Sequence, residues 1–392
     1  MTDFIYLDNA ATTKPYEEVL QAMDTAMREN WGNPSSVHAI GKRAKSTLED
    51  CRKRVAHAIG AKPKEIYFTS GATESNNLAI EGVGLLGSRL YGSGYAITSA
   101  LEHPSVTKPI RALRRQGWKT EHIPAPHGEF DFNAFACALE QGKRVDLVSI
   151  MAVQNEFGYL FPIKRIAQEL RHRAPEAIFH VDAVQAVGKI AVDVNGWNVD
   201  LMTFCSHKLG GPKGIGALYV REGTELFSNA LGGGQERGLR SGTQALPQIV
   251  GFTEALEISL QHRQIAFDNA KALKQQLLYG VLSLRPDTIV NSREDGSPFI
   301  VSFSIPNTNN KTIMRALSDK GICISGASAC ASNENTVAPG TWRPKHPLSI
   351  QLAGVPEELT ESTYRISFRD TSTKDEVDAL LRAFASLVDA KQ

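Results

Sequence analysis

The sequence predicts an α/β fold in which a large domain with a mainly parallel sheet is followed by a smaller α+β domain. Three observations carry that prediction. Short β-branched runs alternate with helical patterns through the first two-thirds of the chain. Residues able to do chemistry recur just past the ends of those runs. Near residue 262 the pattern itself changes. At 392 residues the chain is also longer than one compact core usually supports.

Taken in order, strands are expected over 66–69, 96–99, 147–153, 178–181, 201–204 and 217–220. Helices separate several of them; Leu48, Cys51, Val55 and Ile59, three and four apart, mark one buried stripe. In open parallel sheets, ligands sit beyond the carboxyl ends of the strands. Ser70-Gly71-Ala72-Thr73 follows the first strand and His103 the second. Asn155 follows the third, Asp182 ends the fourth, and His207-Lys208 follow the fifth. Five strand ends therefore point to one crevice. Beyond 262, a helix over 269–282, a strand over 299–304, a helix over 311–320, a strand over 364–368 and a helix over 374–388 describe the second unit. The expected division is 15–261 for the large domain. Residues 1–14 and 262–392 form the small one, with the extended N-terminal segment packing onto it.

Composition excludes several classes. A formal net charge of +1 gives no electrostatic drive toward a polyanion, and no basic-aromatic platform is present, so direct nucleic-acid binding is not expected. No run is apolar and long enough to cross a bilayer. The opening Met-Thr-Asp-Phe-Ile-Tyr has an acid where a signal peptide needs positive charge, and a cytoplasmic setting is expected. Five cysteines (Cys51, Cys137, Cys205, Cys323 and Cys330) without a CxxC pattern read as reduced thiols, and no Cys/His cluster has zinc-ligand spacing. Cys51, Cys137 and Cys323 lie in apolar helical or strand contexts and read as core. Cys330, inside Ser325-Gly326-Ala327-Ser328-Ala329-Cys330-Ala331-Ser332, is flanked by small, turn-forming residues that leave a thiolate accessible.

The most informative run is Phe204-Cys205-Ser206-His207-Lys208-Leu209-Gly210-Gly211, read with His180-Val181-Asp182 upstream. A lysine after one strand and a carboxylate ending its neighbour are the minimum for holding pyridoxal 5'-phosphate (PLP). The amine joins the aldehyde as a Schiff base, and the anion keeps the pyridine nitrogen protonated. Between Thr69 and Asn77 a strand passes into a helix through Gly71. Free N–H groups there, at Ala72 and beyond, with the Thr73 hydroxyl, suit a phosphate. An ordinary helix cap would look the same in isolation.

Several ordered motifs are more specific. Tyr6-Leu7-Asp8-Asn9-Ala10-Ala11-Thr12-Thr13, Asn33-Pro34-Ser35-Ser36-Val37-His38, Ser70-Gly71-Ala72-Thr73-Glu74-Ser75-Asn76-Asn77, Gln154-Asn155-Glu156, His180-Val181-Asp182, His207-Lys208 and Arg240-Ser241-Gly242-Thr243 span nearly the whole chain. In this the sequence resembles cysteine desulfurases of the NifS/IscS type, within the fold-type I, class V aminotransferase-like PLP enzymes. The resemblance implies a seven-stranded type of large-domain sheet. It implies that Lys208 holds the cofactor, Asp182 pairs with the pyridine nitrogen and Gln185 bonds the phenolic oxygen. His103 stacks on the ring and shuttles protons. Thr73 and His207 contact the phosphate, and Thr243 reaches the phosphate of a neighbouring subunit, so that a homodimer is expected. Asn155 and Arg365 hold the substrate carboxylate, and Cys330 is the nucleophile.

The implied activity is conversion of L-cysteine to L-alanine with the sulfur left on Cys330 as a persulfide. Delivery to an acceptor protein follows, for iron–sulfur cluster assembly or nucleic-acid thiolation. The alternatives are another class V aminotransferase or lyase, and a non-catalytic docking protein on the same scaffold. Two departures stand out. Cys205 occupies a position where the family usually has a phosphate-binding serine, so anchoring would lean on other donors, or Ser206 would substitute. The segment 333–361 is long, and reads as a docking element, a lid or a decorated loop. The usual Gly-Arg after the Arg365 strand is also altered, to Arg369-Asp370.

Overall fold

The computed structural model describes residues 4–141, 144–228, 230–326 and 348–388. In chain order, β1 (Ile5–Tyr6), α1 (Glu17–Glu29), α2 (Ala39–Ala58), β2 (Ile66–Thr69), α3 (Ala72–Tyr91), β3 (Tyr95–Ser99) and α4 (Pro104–Arg115) come first. They are followed by β4 (Lys119–Ile123), α5 (Phe132–Glu140), β5 (Leu147–Met151), α6 (Ile163–Arg173), β6 (Ile178–Asp182), β7 (Leu201–Cys205) and β8 (Gly216–Val220). The second part holds α7 (Leu246–Leu284), β9 (Ile289–Val290), β10 (Ile300–Ser304), α8 (Asn310–Asp319) and β11 (Ile322–Cys323). It ends with β12 (Ser325–Gly326), α9 (Leu348–Leu352), β13 (Thr363–Ser367) and α10 (Lys374–Val388).

The main sheet is seven-stranded, in the order β2-β8-β7-β6-β5-β3-β4, with only β8 antiparallel to its neighbours. Inner strands β3, β5, β7 and β8 are buried along their whole length, and β6 in all but its first residue, as expected for a sheet covered by helices on both faces. The predicted α/β class and mainly parallel sheet are thus observed. Strand β4 is not foreseen by the sequence: Lys-Thr-Glu-His-Ile buries only Ile123, because it lies at the sheet edge.

A second, four-stranded antiparallel sheet runs β12-β13-β10-β9, and β1 pairs parallel with β11. The core beneath it draws Leu7 and Ala10 from the N-terminal segment together with Phe303, Tyr364, Ile366 and Phe384. The helix expected over 269–282 is in fact the second half of the 39-residue α7. Leu246, Ile249, Phe252 and Leu256 of α7 enter the main core, whereas Ala270, Leu273, Leu277 and Val281 enter the second. The pattern changes near 262 because the helix changes cores, while its backbone continues.

The second half of the long 333–361 segment is packed rather than loose. Ile350, Ala353, Val355 and Leu359 are buried in the main core, and the Ala353 carbonyl accepts from His127 N–H at 2.8 Å.

Candidate active site

The site forms where the main sheet's strand ends meet the N-terminal segment and β13. Asp182 is the last residue of β6, and Lys208 closes a short 3-10 turn, Ser206–Lys208, that follows β7. His103 is the N-cap of α4, after β3; its Nδ1 accepts from Ser105 N–H at 3.1 Å and lies 2.8 Å from Ser105 Oγ.

These groups belong to one buried network. Asn76, in the second turn of α3, donates through Nδ2 to Asp182 Oδ2 and to Ser105 Oγ, both at 2.8 Å. Asp182 Oδ1 accepts from Val184 N–H at 3.0 Å. Asp182 is thereby fixed by an amide that also ties it, through Ser105, to His103. The sequence gives no reason to single out Asn76 or Ser105, since each is an ordinary polar residue near a helix start. Their pairing is a tertiary fact. Behind Asp182, His180 is held by Ser149 Oγ at 2.8 Å and Thr203 Oγ1 at 3.0 Å, and full burial pulls its pKa down to about 3. It is a neutral structural histidine. His103 is also shifted downward, chiefly by burial, against the attraction of Asp182.

Lys208 Nζ donates to the carbonyls of Ala10 and Ala11 at 2.6 and 2.7 Å. Those carbonyls are positioned because the N-terminal segment is stitched to β13: Ala10 N–H donates to Ser367 Oγ at 2.8 Å, and Asn9 Nδ2 donates to Ser367 O at 2.9 Å. Gln185 Nε2 donates to the same Ala10 carbonyl at 2.9 Å. His207 Nδ1 lies 3.2 Å from Thr12 Oγ1, and burial foremost, then Lys208, Lys213 and Lys189, push its pKa down to about 4.

The residues expected to contact a phosphate are less gathered. Helix α3 begins at Gly71, whose φ of +148° and bare Cα allow Gly216 to approach; a Cβ on Gly216 would meet Gly71 Cα at 2.8 Å. Gly71 supplies no side-chain cap, so the amides of Ala72 and Thr73 open an uncapped helix start. Thr73 and Thr243 are exposed. Arg240 Nε binds Glu74 Oε1 at 2.8 Å and so lays the Arg240–Thr243 turn near that helix start. Cys205 is fully buried, with its thiol pushed up to about 11, mainly by burial. Ser206 is buried like Cys205; its hydroxyl lies against Gly211, where an added Cβ would stand 2.1 Å from it, and has no hydrogen-bond partner among the described residues.

Arg365, in the middle of β13 and only 3% exposed, reaches the site from the second sheet. Its Nη2 binds Asp8 Oδ1 at 2.7 Å and its Nη1 donates to the Asn155 carbonyl at 3.0 Å, while its Nε has no partner among the described residues. Asn155 therefore meets Arg365 through its backbone. A guanidinium so fixed presents a rigid cationic fork to a carboxylate.

Cys330 lies outside the described residues, as do 327–347. The flanks of that stretch are placed, however. Ser325 and Gly326 pair with Arg365 and Tyr364 in the sheet, and on the far side Ser349 Oγ donates to the Glu156 carboxyl at 3.0 Å. Glu156 is half-buried beside Arg365, and loss of solvent around its carboxyl pushes its pKa up to about 7. Among the thiols read as core, Cys51 is buried and Cys323 half-buried, but Cys137 is exposed. Helix α5 turns Phe135, Ala138 and Leu139 inward, and Cys137 falls on the opposite side.

Glu102, next to His103, is a buried acid pushed up to about 8, overwhelmingly by burial, despite hydrogen bonds from Ser99 Oγ at 2.5 Å and Met151 N–H at 2.8 Å. Because its folded pKa is raised, the stability linked to it is complete below the ordinary carboxyl range and is lost as pH rises toward about 8. Glu102→Gln is expected to flatten that loss, which is at most about 1.4 kcal/mol per pH unit crossed. Denaturant midpoints from pH 5 to 8 check it; an unchanged slope in the variant would refute the assignment.

The donor set fits PLP. A lysine amine and a buried, amide-oriented carboxylate sit at adjacent strand ends, with an uncapped helix start nearby and Lys208 and Arg365 providing positive charge.

Comparison with known proteins agrees. The family described as Aminotransferase class-V matches residues 5–380. A mitochondrial cysteine desulfurase of Arthroderma benhamiae is 39% identical over 97% of this chain and 73% of its own length. A NifS/IcsS protein homolog of Lactobacillus delbrueckii subsp. bulgaricus is 38% identical over 97% and 96%. Among solved structures, a NifS-like protein superimposes with a TM-score of 0.90 at 32% identity, covering 99% of this chain and all of that one. SspA in complex with cysteine gives a TM-score of 0.77 at 31% identity over 94% and 99%. By sequence and by fold, the chain belongs to the class V aminotransferase family, in its cysteine desulfurase (NifS/IscS) branch.

Proposed function

We propose that this protein is a PLP-dependent cysteine desulfurase, taking L-cysteine to L-alanine and placing the sulfur on Cys330. The observation that carries the reading is the convergence of Lys208, the Asp182–Asn76–Ser105–His103 network and Arg365 on one crevice. When bound, PLP supplies an electron sink next to the substrate's α-carbon.

The chain's own residues do the rest. Lys208 Nζ secures the cofactor and, once released, carries the proton between Cα and its neighbouring atoms. Asp182 keeps the pyridine nitrogen protonated, and Gln185 donates to the phenolic oxygen. Ala72, Thr73 and His207 hold the phosphate, with Thr243 reaching across a homodimer. Arg365 binds the substrate carboxylate, aided by Asn155. The Cys330 thiolate attacks the substrate sulfur: an S–S bond forms, the Cβ–S bond breaks with its electron pair kept on carbon, and His103 protonates that carbon. L-cysteine and the Cys330 thiol thus become L-alanine and a Cys330 persulfide, with every atom accounted for.

The described flanks of 327–347 meet Arg365 and Glu156, which supports the reading that Cys330 takes up sulfur at the site and delivers it to an acceptor protein. On this reading 15–261 is the cofactor-holding unit, and 1–14 with 262–392 is the unit that carries the loop. A cytoplasmic setting and a role in iron–sulfur assembly or nucleic-acid thiolation complete the proposal.

Incubation with L-cysteine followed by intact-mass analysis and peptide mapping tests it. The expected result is a gain of one reducible sulfur on the Cys330 peptide, with alanine formed alongside. Keto-acid formation without sulfur on the protein would favour an aminotransferase.

A further inference from the structure

Lys189 has no part in the chemistry above, yet it is 7% exposed and points into the site. It lies four residues after Gln185 in a run of turns, and its Nζ donates to Gln185 Oε1 at 2.7 Å. The groups facing it are Lys208 and Arg365, which repel a second positive charge, the Cys205 thiol, and the Phe299 ring, whose centroid is 6.0 Å from Nζ. With burial as the main cause, its pKa falls to about 7. Either protonation state leaves hydrogens to donate.

A glutamine amide has two unlike ends on nearly the same shape: the oxygen accepts and the nitrogen donates. Only the neighbours decide which end faces which way. Lys189 occupies the oxygen, so the nitrogen is turned to the Ala10 carbonyl at 2.9 Å. That carbonyl also accepts from Lys208 Nζ at 2.6 Å. The Gln185 N–H edge and the Lys208 amine therefore converge on one point. A buried lysine is costly to keep, and a purely packing role would be met by an apolar side chain.

We propose that Lys189 is a positioning residue that locks the Gln185 amide with its N–H edge toward the Lys208 nitrogen, so that Gln185 donates to the phenolic oxygen of bound PLP instead of repelling it. This rests on the reading of Gln185 as a cofactor ligand. Loss of the donated hydrogen bond makes the phenolic oxygen more basic and strengthens its hold on the proton shared with the Lys208 nitrogen. The pH midpoint of the cofactor's visible absorption band then rises.

The test is a pH titration of that band in wild-type holoenzyme and in Gln185→Leu, Lys189→Met and the double variant. Gln185→Leu is expected to raise the midpoint by about one unit, the scale of one hydrogen bond to a charged group. Lys189→Met is expected to raise it by a similar amount, and the double variant no further than Gln185→Leu alone. Should Lys189→Met not fold, Lys189→Gln, which keeps a donor, must leave the midpoint close to wild type. The proposal is overturned if Lys189→Met leaves the midpoint unchanged. It is equally overturned if its shift adds in full on Gln185→Leu, since Lys189 would then act through its charge alone, or if Lys189→Gln shifts as far as Gln185→Leu. No shift in Gln185→Leu itself would instead sink the role assigned to Gln185.

Discussion

Lys208→Ala is expected to lower desulfurase turnover by at least about 10⁴-fold, because in the proposed mechanism one side chain both secures the cofactor and moves the Cα proton. The fold should survive. Lys208 closes a turn whose backbone is held independently: Thr13 N–H donates to the His207 carbonyl at 2.8 Å, and Gly210 N–H donates to Thr13 Oγ1 at 2.7 Å. What the variant loses structurally is the pair of bonds to the Ala10 and Ala11 carbonyls. Steady-state alanine formation measures the effect, and circular dichroism checks the fold. Turnover within tenfold of wild type would show that another amine does the work.

Asp182→Asn is expected to cost about 10²–10³ in kcat/KM, in line with removal of one preorganised charge from a buried site. The change keeps the shape and removes the anion that, on the proposed reading, holds the pyridine nitrogen protonated. It also places a second amide against Asn76, whose Nδ2 now donates to Asp182 Oδ2 at 2.8 Å. Asn76 would have to turn its oxygen toward the new group, breaking its bond to Ser105 and loosening His103. Stability should fall by only about 1 kcal/mol, since polar partners remain. A variant with full activity would detach Asp182 from the cofactor.

Much of this was readable in the residues because the chemistry sits at strand ends, and strand ends are marked by local pattern. Asp182 and Lys208 each close a β-branched or apolar run, so sequence alone places them at one edge of the sheet. What escaped the sequence depends on contacts between distant segments. Asn76 and Ser105 become site residues only when α3 and α4 pack side by side. Arg365 shares its guanidinium with Asp8, 357 residues away in sequence. That Ser206 and Cys205 are both buried, with the Ser206 hydroxyl against Gly211, is set by the fold of the turn and not by local pattern. Edge strand β4 carries too little apolar pattern to announce itself, and α7 hides its length because its buried face serves two cores in turn.

The glutamine at 185 shows a subtler limit. Its side chain is identified by motif, but the direction of its amide depends on the lysine four residues later. On the proposed reading, the motif names the ligand and a neighbour chooses which of its atoms is presented.

The most direct test of the whole account is borohydride reduction of the purified, PLP-loaded protein, followed by proteolysis and mass spectrometry. The cofactor is predicted to be fixed covalently to the peptide containing Lys208, and in Lys208→Ala to no peptide at all. Cofactor fixed to a different lysine, or none fixed in wild-type protein saturated with PLP, would contradict it.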